Sequence, residues 1–250
     1  MLPALEARGL CKSFGALPVA SSIDFCLASG ARHALIGPNG AGKTSFVNLV
    51  TGLIRPDRGA ILLGGEDITH LPRAARVKRG LVRTFQISAL FRRLALIENV
   101  MLAISEREGT AGNLFRPSGR HRKLIDEAHA LLDTLGLAQE SLRPVNELDY
   151  GRQRLADIAV SLALRPKVLL LDEPAAGVPS GETSAIIDMI GRLPSELALL
   201  IIDHDMDLVF RLASRITVLV QGSVLTEGPP REIAADARVR QVYLGERRLP

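Results

Sequence analysis

Residues able to do chemistry concentrate at a few places in this chain. Gly37-Pro38-Asn39-Gly40-Ala41-Gly42-Lys43-Thr44 follows the G-x-x-x-x-G-K-T pattern of a phosphate loop. Glycines at this spacing let successive backbone N–H groups curl around a phosphate. The Lys43 ammonium would reach its β and γ oxygens, the Thr44 hydroxyl would ligate Mg²⁺, and Ser45 adds a second hydroxyl to the cradle. The flanks agree: Ala34-Leu35-Ile36 suits a buried strand, and Thr44 to Val50 opens as a helix whose N-terminus favours an anion. A glycine-rich turn with an incidental lysine would not require either flank. The octapeptide therefore implies a nucleoside triphosphate ligand.

Two acidic strand ends could complete such a site. Val168-Leu169-Leu170-Leu171 runs into Asp172-Glu173, and an acid at the carboxyl end of a buried strand lies at the usual ligand crevice of an α/β sheet. Asp172 would hold Mg²⁺, and Glu173 would act as general base on an attacking water. Ile201-Ile202-Asp203-His204-Asp205 repeats the arrangement, with His204 placed to donate a hydrogen bond to a γ-phosphate; a histidine flanked by acids is also a common structural feature. Gln86, in Arg83-Thr84-Phe85-Gln86, is ambiguous by itself, since a glutamine can ligate Mg²⁺ weakly or hydrogen-bond a turn.

The elements that must position these groups are legible in outline. The segment up to about Leu63 reads as short strands with glycine turns, including Gly59 to Leu63 running into Gly64-Gly65. Leu124-Ile125, Ala128, Leu131-Leu132 and Leu135 recur at helical spacing, opposite Asp126, Glu127 and Asp133, and Gly136 ends that helix. Ser105 to Lys123 is polar and punctuated by Gly and Pro, with Arg116, Arg120, Arg122 and Lys123 near its end, and reads as an exposed loop. The runs 168–171, 198–202 and 216–220 are short apolar strands between helices, which indicates a mostly parallel sheet covered on both faces. The expected organisation is an α/β core in two pieces, 1–86 and 155–250, with a helical insertion over 87–154.

Composition narrows the function classes. Only 4% of the 250 residues are aromatic, with no Trp, which disfavours a base-stacking platform for single-stranded nucleic acid. A net charge of +4 permits contact with a membrane surface without demanding it. Cys11 and Cys26 belong to no C-x-x-C pair and sit among apolar residues, so buried free thiols in a reducing compartment are expected. No basic-apolar-small leader opens the chain, and apolar stretches such as Leu197 to Ile202 fall far short of the ~18 residues a span needs. A soluble, cytoplasmic chain is expected.

Taken in order, the phosphate loop, Gln86, Leu148-Asp149-Tyr150-Gly151-Arg152-Gln153, the acidic strand end and His204 resemble an ATP-binding subunit of an ABC transporter over essentially the full length. Within that family, Arg83 to Gln86, Asp172-Glu173-Pro174-Ala175-Ala176-Gly177, His204-Asp205-Met206 and Tyr243-Leu244-Gly245-Glu246 are similar to the ATPases of branched-chain amino-acid uptake systems. The resemblance implies a phosphate-loop ATPase fold with an N-terminal antiparallel β portion and a helical subdomain. It implies ATP and Mg²⁺ as cofactors, with Phe14 stacking on adenine (a core Phe is the competing reading) and Gln86 touching Mg²⁺ and water. Asp149 and Gly151 would belong to the signature that closes on ATP held by a second ATPase subunit. His204 would sense γ-phosphate, and Pro174 to Ser180 would link the two sites. Two membrane-spanning permease subunits, and indirectly a solute-binding protein, are the implied partners at the inner face of the membrane, with no nucleic acid.

One departure stands out. The usual signature is Leu-Ser-Gly-Gly-Gln; Tyr150 is common in the uptake branch, but Asp149 is seldom found there, and Arg152 replaces the glutamine. An ionised Asp cannot donate the hydrogen bond that a Ser hydroxyl offers a phosphate. A soluble ATPase acting on DNA or the ribosome is the second reading, but such proteins usually need tandem cassettes or a long coiled coil, which do not fit in 250 residues. A binding-only subunit is the third; Asp149 supports it, while intact Glu173 and His204 oppose it.

Overall fold

The computed structural model describes residues 2–84, 90–110 and 118–244. In chain order the elements are β1 (Leu5–Phe14), β2 (Leu17–Leu27), β3 (Arg32–Ile36), α1 (Lys43–Thr51), β4 (Arg58–Leu63), β5 (Glu66–Asp67), α2 (Arg73–Lys78), β6 (Leu81–Arg83), α3 (Leu96–Arg107), α4 (Ser118–Thr134) and α5 (Tyr150–Ala163). There follow β7 (Val168–Asp172), α6 (Ser180–Gly191), β8 (Ala198–Ile202), α7 (Met206–Leu212), β9 (Arg215–Val220), β10 (Ser223–Gly228), α8 (Pro230–Ala235) and α9 (Ala237–Leu244). They form two compact units, one comprising Met1–Leu81, Lys167–Glu173 and Pro194–Pro250, the other Val82–Pro166 and Pro174–Leu193.

The first unit holds two sheets. An antiparallel sheet is ordered β2-β1-β4-β5, and the second runs β10-β9-β3-β8-β7, parallel from β9 to β7 with β10 antiparallel at the edge. Every residue of β7 and β8 is buried, as expected for strands covered on both faces. β1 and β2 are 10 and 11 residues long, longer than the short strands expected there. In β2 the alternation is explicit: Ile23, Phe25 and Leu27 point into the core, where the Phe25 and Phe46 rings meet edge-on with centroids 5.2 Å apart. That same period of two carries Cys26 to the exposed face, and Cys11 is half-buried, so the expectation of buried thiols fails for both free cysteines.

Helix α1 follows β3 after the six-residue loop 37–42 and is anchored at its far end by Arg76 of α2. The Arg76 guanidinium is buried and donates to the carbonyls of Leu49 (2.8 Å), Val50 (2.6 Å), Thr69 (2.8 Å) and Leu71 (3.0 Å). A cation on the last carbonyls of a helix satisfies acceptors that have no partner within it and complements the negative end of its dipole.

In the second unit α3 packs against α4 and α5. Arg107 ties the three together, donating to Glu127 on α4 (2.8 and 3.0 Å) and to the Ala163 carbonyl at the end of α5 (2.8 Å). Here the structure departs from the expected loop over 105–123: α3 continues to Arg107, and α4 begins at Ser118. Residues 118–123 extend the expected helix by more than a turn, because basic residues suit a helix as well as a loop. Helix α5 and residues 174–193 also fall in this unit, although 155 onward was expected in the core. The apolar face of α5 packs on helices, which explains the difference.

Candidate nucleotide-binding site

The phosphate loop begins where β3 ends. Gly42 caps α1 with φ 100° and without a side-chain hydrogen bond, and a Cβ there would lie 2.6 Å from the Val19 carbonyl oxygen. Only glycine meets both conditions. The loop is closed by the Ala41 N–H donating to Pro38 (3.1 Å), and the Phe46 N–H donates to Gly42 (2.8 Å). The N–H groups of the first turn make this end of α1 electropositive and suited to an anion, and no acid in that turn offsets it. Lys43 Nζ lies over the loop, donating to the carbonyls of Gly37 (2.5 Å) and Pro38 (3.1 Å). Asn39, Gly40 and Thr44 are exposed, and Ser45 is half-buried.

Strand register brings the acids to the same edge. Leu35 pairs with Ile202, and Ile202 with Asp172, so the carboxyl ends of β3, β8 and β7 are level. At the ~4.8 Å spacing of neighbouring strands, Asp172 lies about 10 Å across the sheet from the start of the phosphate loop. Asp172 is buried. Glu173 has φ 46°, a conformation costly for a residue with a Cβ, and its N–H donates to the Ile202 carbonyl (2.8 Å). This kink ends the strand and brings Glu173 Oε1 to 3.5 Å from His204 Nδ1. A carboxylate beside an imidazole at a strand-end crevice can orient and deprotonate a water.

Asp203, to which no role was given on sequence, stands beside this pair. It is 4% exposed, accepts the N–H groups of His204 (2.7 Å) and Asp205 (2.9 Å), and its Oδ1 lies 3.6 Å from His204 Nδ1. Burial pushes its carboxyl above the usual range, against those two hydrogen bonds. The available signal was its place at the end of an apolar run, as for Asp172.

Phe14 closes the β1–β2 hairpin with 54% of its surface exposed, so the core reading of this ring fails. Lys12 Nζ sits 5.6 Å from the ring centroid and is held by Asp57 (2.7 Å), whose other oxygen accepts the Ser13 N–H (2.8 Å). The ring is thus held beside a cation and presented to solvent.

In the second unit Asp149 caps α5. Its Oδ1 accepts the Arg152 N–H (2.8 Å), and its Oδ2 takes the Arg152 guanidinium (2.6 Å), which also reaches Glu140 (3.1 Å). The backbone hydrogen bond and the guanidinium hold this carboxyl below its ordinary range. Gly151 is buried under Glu182, whose Oε2 would stand 2.6 Å from a Cβ at that position, and the Tyr150 ring lies against Gly177. Gln86 lies outside the described residues, as do Phe85, Ile87, Ser88, Gly245 and Glu246.

Comparison with known proteins bears on the family and the fold. Residues 20–176 match the family described as ABC transporter, and residues 223–248 match that described as branched-chain amino acid ATP-binding cassette transporter. The chain is 38% identical over 251 residues to the high-affinity branched-chain amino acid transport ATP-binding protein LivG of Escherichia coli K12, covering 98% of each. It is also 36% identical to the lipopolysaccharide export system ATP-binding protein LptB of Acidithiobacillus ferridurans, covering 97% of each. A solved ATP-binding cassette of an ABC transporter, in its ADP conformation, superposes with a TM-score of 0.86 at 26% identity, covering 98% of this chain and all of that one. The chain belongs to the ABC-transporter ATP-binding cassettes, the subunits that bind and hydrolyse ATP to power transport.

Proposed function

We propose that this chain powers uptake of a small solute of the branched-chain amino-acid class, working with a second ATPase subunit and two membrane-spanning permeases at the inner face of the membrane. The match of residues 223–248 to the family described as branched-chain amino acid ATP-binding cassette transporter is what supports this solute class, although similar proteins include an exporter subunit. A solute-binding protein would deliver the cargo on the far side. Among the described residues no helix is long and apolar enough to cross a membrane, and the permeases would supply the conduit.

The hydrolytic step follows from the site. The loop N–H groups and Lys43 bind the phosphates, and Phe14 stacks on adenine. Glu173 takes the proton of the attacking water, and His204, oriented by Asp203, donates to the γ-phosphate oxygens. A buried Asp172 carboxylate and the Thr44 hydroxyl are hard oxygen donors of the kind Mg²⁺ accepts beside substrate phosphates. When bound, that ion offsets the charge of the β and γ oxygens. Asp149 and Gly151 would face ATP held by the second subunit. Because Asp149 is an acid, we assign that subunit an intact signature of its own and the pair an asymmetric activity, with Lys43 and Glu173 in the stronger site. Reconstitution with its permease subunits tests the reading: ATP-dependent accumulation of labelled leucine in inward-loading vesicles supports it, and ATP-dependent extrusion of a lipid instead would overturn it.

A further inference from the structure

The tip of the β9–β10 hairpin does not end in solvent. Val220 pairs with Ser223, leaving Gln221 (φ 48°) and Gly222 (φ 77°) as a two-residue turn of the kind that needs positive φ at both positions. Such tips are usually exposed, yet Gly222 is buried. Its N–H donates to the Ala41 carbonyl inside the phosphate loop (2.9 Å), and its own carbonyl accepts the Ser21 N–H of β2 (2.8 Å). Its Cα also lies 3.3 Å from where a Cβ on Gly42 would stand. Gly222 therefore joins the phosphate loop to the strand that leads back to Phe14.

We propose that Gly222 is a positioning residue for the phosphate cradle, fixing the Ala41–Gly42 peptide plane through its N–H and the offset of that plane from the β1–β2 hairpin through its carbonyl. In a trans peptide the C=O and the next N–H point in opposite directions, and among the described residues no peptide is cis. Holding the Ala41 carbonyl outward thus aims the Gly42 N–H to the loop's other side, where an anion would lie. This inference rests on reading residues 37–44 as the phosphate site.

A turn glycine would be needed for its φ alone, so the test must separate conformation from contact. Asn tolerates positive φ, but any Cβ at 222 falls 3.0 Å from the Val19 carbonyl carbon and oxygen, so Gly222→Asn keeps the turn and displaces it from Ala41. Ser21→Pro removes the other tie at an edge strand, where proline is tolerated. Gln221→Asn is the control, since it favours the turn and touches neither bond. Inorganic tripolyphosphate, titrated by calorimetry, reports the cradle without the base. Misaligned donors to a charged group predict binding weaker by about tenfold in Gly222→Asn, less in Ser21→Pro, and unchanged in Gln221→Asn. In ¹⁵N-glycine spectra the Gly42 amide should move in both weakened variants while the other glycines stay dispersed. Parent-like tripolyphosphate binding by Gly222→Asn, or an unmoved Gly42 amide in Ser21→Pro, would overturn the proposal and leave the loop assignment standing. Failure of the parent chain to bind tripolyphosphate would overturn the loop assignment and this proposal with it.

Discussion

Replacing Asp157 with asparagine should stabilise this protein more at alkaline than at acid pH. Asp157 lies within α5, 7% exposed, and its Oδ2 has no hydrogen-bond donor among the described residues. The Arg154 guanidinium approaches only to 4.0 Å. Burial pushes the carboxyl up to about 7, with Arg154 opposing. In the unfolded chain the same group titrates near 3.9. Between those values the folded state holds a proton that the unfolded state lacks, so the parent loses stability as pH rises from about 4 to 7 and levels off above 8. A difference of about 3 pH units corresponds to ~4 kcal/mol in all, of which roughly 2 kcal/mol falls between pH 5.5 and 8. Asp157→Asn removes the titration and keeps the shape. Urea unfolding of both proteins at the two pH values is the assay, and the stability gap should widen by about 2 kcal/mol in favour of the variant. Parallel pH profiles would refute the assignment of a protonated, buried carboxyl.

Asp149→Ala should cost about 1 kcal/mol of unfolding free energy through loss of the α5 cap, while Asp149→Ser should cost little, because serine caps as well. In the reconstituted pair with its partner ATPase, Asp149→Ser should raise turnover at the weaker site; unchanged or lower phosphate release would leave capping as the role of Asp149. Arg76→Met should lower stability by about 3 kcal/mol, since it strands buried carbonyls at the end of α1. Urea unfolding checks this, and a loss below about 1 kcal/mol would show that water satisfies those carbonyls.

Much of the site was legible because its signals are local. The run before Gly37 and the run ending at Asp172 each announce a buried strand, and register then sets their carboxyl ends level. Asp149 departs from the signature pattern in sequence, and the structure gives it a local role as the cap of α5. What failed depended on distant partners or on solvent. Cys26 sits among apolar residues in sequence, but the faces of β2 alternate and expose it. The basic stretch 118–123 was polar enough for a loop and is helix, since only one face of α4 needs apolar contacts. Asp203 looked like a flanking acid until the fold buried it against His204. The contact between Gly222 and Ala41 joins residues 181 positions apart, and no local pattern records it.

The central claim is that Glu173 is the base of an ATP-hydrolysing site. The direct measurement is phosphate release by Glu173→Gln beside the parent, each assembled with its partner subunits and with ATP binding confirmed by calorimetry. The variant should bind ATP as the parent does and release phosphate ~10²–10⁴ times more slowly, the usual loss when a general base is removed. Turnover close to that of the parent would contradict the account.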